Sequence, residues 1–159
     1  MNRIPLYLAN DFIDWGMREG VEMTQLKLQK LLYIFFARYL NVNGKRPFKD
    51  CPVKWPLGPV FPSVYQATKH FGAKPMTPLH DIEDGKVYFV ARTDEKFRAV
   101  FQETVRCYGQ MTASDLVKLT HSEILPHYQT AWSNPNINIG EFLTAKDVAR
   151  DGGKLFESR

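Results

Sequence analysis

Nucleophilic, acid–base and metal chemistry needs histidine, cysteine and carboxylate side chains held close together, and this sequence offers few candidates. Its histidines are His70, His80, His121 and His127, and its cysteines are Cys51 and Cys107. His121, Glu123 and His127 come nearest to a metal-ligand set. The two histidines are too far apart to share one helical face, and the spacing matches no standard zinc site. Cys107 beside a histidine would make a nucleophile pair. It lies near an apolar helical stripe instead, where cysteine packs as a small, inert hydrophobe. Asp81, Glu83 and Asp84 read as a solvated turn. No phosphate-cradling glycine loop and no GxSxG elbow occurs. The residues therefore predict no catalytic group, no metal and no cofactor.

Binding residues are better represented. Lys45, Arg46 and Lys49 surround Phe48, and Lys54 precedes Trp55. Cations interleaved with aromatic rings can hold a phosphate backbone and stack a base. However, 21 Lys and Arg against 17 Asp and Glu leave a net charge of only +4. Acids are spread along the chain, and no helix carries an uninterrupted basic face. Nucleic acid is not the expected partner.

The elements that must position these residues read as mainly helical. Ile4, Leu8, Phe12 and Trp15 share one face of a first helix, with Pro5 in its opening turn and Gly20 at its exit. Thr24 is an N-cap for a second helix. Its wide stripe of Leu28, Leu31, Leu32, Phe35, Phe36 and Tyr39 marks it as the central helix, stopping at Asn43-Gly44. Lys45 to Pro52 is a loop, and Val53 to Trp55 a short strand. Pro56 and Pro59 lack an N–H, which argues for an edge or a turn. Pro62 opens a short helix. Lys86 to Ala91 reads as a strand paired with Leu79 to Ile82 across an Asp84-Gly85 turn. Thr93 caps a helix carrying Phe97, Phe101, Val105 and Tyr108, and Thr112 to Asp115 opens another. Pro126 opens a short helix through Trp132, Asn138 to Glu141 a last one, and Gly152-Gly153 releases a polar tail. The predicted fold is mainly α with a small antiparallel sheet or hairpin. It is a single domain over residues 1–150 with a tail at 151–159.

Length and composition agree with one such domain. The chain has 159 residues, 44% hydrophobic and 13% aromatic, too apolar for disorder and long enough to bury a core without a staple. Its longest apolar run, Leu31 to Ala37, is far short of a membrane span. The N-terminal residues have polar breaks where a signal peptide is apolar. Two distant cysteines read as reduced thiols, which predicts a cytoplasmic protein.

One pattern goes beyond composition. Leu26 to Tyr33 reads LKLQKLLY, and Trp55-Pro-Leu-Gly-Pro-Val60 and Tyr65 follow. Ala9 to Ile13 stands ahead of it, and Tyr108-Gly109 and Leu119-Thr120-His121 come after. Together these resemble the SocA-like antitoxin family, built on the Panacea domain and also known as phage-associated GepA-like proteins. The resemblance runs from Ala9 to about Phe142. It implies an antitoxin of a type II-like toxin–antitoxin system, which neutralises a protein toxin encoded by an adjacent gene through direct contact. One branch of the family hands its toxin to the ClpXP protease. Leu57 stands where the family commonly has an aromatic residue. No DNA-binding domain precedes the matched region, so autoregulation by a fused domain is not expected.

Within the motif, Leu28, Gln29, Tyr33, Trp55, Gly58, Pro59, Val60, Tyr65, Thr120 and His121 read as scaffold, with buried rings and satisfied polar tips. His121 is expected to hydrogen-bond at a helix end. Lys27 and Lys30 are three apart on the central helix and are expected to face outward. With Lys45, Arg46, Phe48 and Lys54 they form the predicted toxin-binding surface, basic residues beside exposed apolar ones. A ClpXP adaptor and a nucleic-acid-binding phage or mobile-element protein are the alternative readings.

Overall fold

The second helix organises the molecule. In the computed structural model, which describes residues 3–123, 125 and 127–157, α1 spans Ile4–Glu19 and α2 spans Gln25–Asn43. The Thr24 hydroxyl accepts the Lys27 N–H, and the Gly44 N–H closes the far end on the Leu40 carbonyl. Between these caps the predicted stripe is fully used. Leu28, Leu31, Leu32 and Phe35 are completely buried, as are Ile34 and Ala37 on other faces. A helix apolar nearly all round must lie inside, and α2 packs against α1, α3, α4, α5, α6 and the sheet.

The other helices wrap it. α3 spans Pro62–Thr68, α4 Glu95–Tyr108, α5 Ala113–Thr120 and α6 Ala145–Lys154. Single turns of 3-10 helix occupy Lys69–Phe71 and Ala131–Ser133. α4 is capped by the Asp94 carboxylate rather than by Thr93, and α5 by Thr112 as its sequence predicts. Strands β1, Val53–Trp55, and β2, Gly58–Val60, form an antiparallel hairpin around Pro56-Leu57. The observed class is the predicted one, mainly α with a small antiparallel sheet. No helix among the described residues is long and apolar enough to cross a membrane.

Three further local expectations fail. Lys86 to Ala91 is not a strand. Only one backbone bond joins it to the 79–82 segment, from the Asp81 N–H to the Lys86 carbonyl at 2.7 Å, and the other partners come from side chains of α1. The Asn10 amide donates to the Leu79 and Tyr88 carbonyls, each at 3.0 Å, and accepts from the Leu79 N–H at 2.7 Å. The Asp11 carboxylate accepts the Val90 and Ala91 N–H groups at 3.0 and 2.9 Å. Asn138 to Glu141 opens no helix; residues 140–143 run along β1, and α6 starts after its Thr144 cap.

Gly152-Gly153 does not release a tail either. Both glycines lie in α6, and Leu155 and Phe156 beyond them are buried. A Cβ on Gly152 would come within 2.0 Å of the Ala37 carbonyl oxygen, so α6 crosses α2 at backbone contact. The glycine serves close approach, not chain reversal. Pro126, the predicted opening of a short helix, lies outside the described residues. The 3-10 turn Ala131–Ser133 is what stands near its expected end.

Candidate functional site

The motif residues on α2 face the hairpin. Gln29 uses both ends of its amide on Phe61, accepting its N–H at 2.9 Å and donating to its carbonyl at 3.2 Å. It replaces a strand partner for the chain leaving β2. Lys30 is completely buried and donates from Nζ to the Pro59 carbonyl at 2.8 Å. Burial pushes its amine down to about 7. Gly58 sits over that amine with φ at +119°; a Cβ there would meet Lys30 Cε at 3.0 Å and Thr120 Oγ1 at 3.1 Å. The LKLQK string, the Gly-Pro corner and Thr120 are therefore one interlocked joint.

His121 and two tryptophans extend the joint. The His121 ring stacks on Trp132 at 3.7 Å with only 8° between planes. Its Nε2 is buried without a partner among the described residues. Burial, with the nearby Lys30 charge, holds the imidazole below its ordinary range, so the ring is neutral at pH 7. Trp132 Nε1 donates to the Trp55 carbonyl at 2.7 Å. Lys54 lies over the Trp132 ring at 5.1 Å and donates to the Asn134 and Ile137 carbonyls. Trp55 meets Tyr65 edge-on at 5.0 Å.

A second polar joint ties α6 to the same scaffold. Asp151 is almost fully buried and accepts the hydroxyls of Tyr33 and Tyr128 and the Ala131 N–H. Burial pushes its carboxyl above the usual range against the pull of those donors. Tyr33 thus has the satisfied polar tip expected of a scaffold ring. Asp151, Tyr128 and Trp132 were not among the predicted residues. Asp151 lies in α6, Trp132 in a 3-10 turn and Tyr128 outside any helix, so no shared periodicity marks them in the sequence.

The predicted docking surface divides. Lys27 is 5% exposed, Lys30 wholly buried and Phe48 6% exposed. Phe48 packs between Phe36 and Phe61, 5.4 Å from each. Lys27 and Lys30 face inward because α2 is buried on almost every side and has no outward face there. Lys54 is half-buried and committed to carbonyls. Lys45 and Arg46 are exposed as expected.

Two concave sites lie around this scaffold. One, of about 360 Å³, is apolar and lies between Leu26 and Gln29 of α2, Trp55 and Leu57 of the hairpin, and Tyr65. The other, of about 370 Å³, has Phe36, Leu40, Leu143 and Val148 as its floor and Lys45 and Arg46 beside it, with no acid among its lining residues. Arg46 is braced there by the Lys49 carbonyl and Cys51 Sγ. This arrangement suits an apolar and acidic partner segment. His121, Glu123 and His127 are not gathered, and no group of three or more possible metal ligands occurs among the described residues.

Comparison with known proteins gives the same picture of the chain's relations. The family described as "Antitoxin SocA-like, Panacea domain" matches residues 28–126. Antitoxin SocA of Caulobacter vibrioides (strain NA1000 / CB15N) is 28% identical over 137 residues, which cover 84% of this chain and 72% of the relative. No solved structure is significantly similar.

Proposed function

The chain belongs to the SocA-like, Panacea-domain antitoxin family, and from that premise we propose that it neutralises a protein toxin encoded beside it by binding that toxin directly. The family match over residues 28–126 carries the antitoxin role. The second cavity supports direct contact: an apolar floor bordered by two exposed cations is a surface for a protein partner. Of the predicted contact residues, Lys45 and Arg46 keep that role. Lys27, Lys30 and Phe48 support the fold from inside. Inhibition is stoichiometric, by covering the toxin's working surface or holding it inactive, in the cytoplasm.

Co-expression with the adjacent gene tests this reading. The neighbour alone should arrest growth, and the chain should restore growth and co-purify with it. Rescue should persist in cells lacking ClpXP. Rescue that disappears with the protease would replace direct inhibition by the adaptor mechanism. A neighbour harmless by itself would remove the reading altogether.

A further inference from the structure

Residues 140–143 act as a third strand beside the hairpin. The Lys54 N–H donates to the Glu141 carbonyl at 2.9 Å, Gly140 donates to the Lys54 carbonyl at 2.7 Å, and Leu143 donates to the Pro52 carbonyl at 3.0 Å. These bonds flank the antiparallel pair Val53–Phe142. That register makes it a non-hydrogen-bonded pair. The N–H and carbonyl of Phe142 consequently point away from β1, and neither pairs with another described residue.

Paired residues share a face of a sheet. Val60 stands opposite Val53, and Val53 opposite Phe142, giving one apolar row across three strands. Val60 and Val53 are each 6% exposed, whereas Phe142 is 65% exposed. The row stops at an open edge with an uncovered aromatic ring. An edge with free ladder groups beside apolar side chains is a template for an added strand. Leu143, the next residue, lines the same cavity as Lys45 and Arg46, which has no acid among its lining residues.

We propose that this edge receives an extended segment of the toxin, whose backbone pairs with Phe142, whose apolar side chain continues the Val60–Val53–Phe142 row, and whose Asp or Glu reaches Lys45 and Arg46. The proposal rests on the chain being a direct toxin binder. Two exposed cations with no acid among the residues lining their cavity call for an acidic segment, and for a chain of the antitoxin family the toxin is the partner that brings it.

The test uses the full chain and its co-purified toxin. F142P removes the outward N–H, which the fold does not use, and F142A removes only the ring. F142P is expected to weaken the complex at least 10-fold at unchanged circular dichroism and melting temperature, and F142A less. In the wild-type complex the Phe142 amide should exchange with deuterium more slowly than in the free chain, a readout that holds even if F142P misfolds. A folded F142P with wild-type affinity, or unchanged exchange at Phe142, overturns the proposal while leaving direct binding intact. Absence of any wild-type complex overturns both. A dimer of the free chain that F142P abolishes, with toxin binding untouched, assigns the edge to a second copy and overturns it too.

Discussion

The Lys30 amine is fully buried, with the Pro59 carbonyl as its acceptor and Gly58 above it. Its folded-state value of about 7 lies below the ordinary 10.5. Between those values the unfolded chain holds a proton that the folded chain refuses. Stability therefore rises with pH from about 7 to 10.5, by at most about 1.4 kcal/mol per pH unit, and this residue adds no further dependence below 7. Lys30→Met keeps the length and volume of the side chain without its charge. Urea unfolding should show that variant more stable than wild type at pH 6 and without that rise above pH 7. An identical pH dependence in the two proteins would place the titration elsewhere. Lys30→Glu should fail to fold, because it sets a carboxylate against the Pro59 carbonyl. Charge reversal at Lys30 thus reports on folding, not on docking.

At the scale of elements, two joints hold the chain together where local structure alone would not. The two arms of the loop between Leu79 and Ala91 share a backbone bond, from Asp81 to Lys86, but form no ladder, and they are held by Asn10 and Asp11 of α1. Asn10→Ala removes three hydrogen bonds from a nearly buried position and should cost about 1–3 kcal/mol. It should also speed amide exchange at Leu79 while α4 exchange stays slow. The α2–α6 crossing depends on the missing side chain of Gly152. Gly152→Ala puts a Cβ on the Ala37 carbonyl oxygen, and since backbone cannot yield, α6 must move away. The expected loss is about 1–3 kcal/mol in thermal unfolding, the usual cost of overpacking. A neutral Gly152→Ala would mean that the two helices slide freely.

At the scale of the whole molecule, the family motif and the proposed partner surface are separate regions. The LKLQK string, the Gly-Pro corner and Thr120-His121 lock α2, the hairpin and α5 together. Lys45, Arg46 and Phe142 lie outside that joint, on a loop and an edge that the scaffold presents. A family can keep such a scaffold and vary what borders it. The double reversal Lys45→Glu, Arg46→Glu tests the separation. Both side chains are exposed, so stability should stay within about 0.5 kcal/mol of wild type. Toxin association should slow markedly, and the salt dependence of its on-rate should flatten. Toxin binding at wild-type rate and affinity would move the docking surface to the apolar cavity beside Leu57.

By itself the sequence determined α1 to α5, several caps, the central place of α2 and the family. Periodicity and capping are local: Thr24, Thr112 and the Leu28–Tyr39 stripe act within a few residues of themselves. Tertiary structure decided what depends on partners far along the chain. Lys27 and Lys30 obey helical spacing but lie inside, because neighbouring elements cover α2 on almost every side. Lys86 to Ala91 has strand composition but no strand, because the Asn10 amide and Asp11 carboxylate supply its hydrogen bonds. Phe142 became an edge residue only through its register against Val53. Burial and hydrogen-bond satisfaction are properties of the assembled chain, and they settled which basic and aromatic side chains remained free to meet a partner.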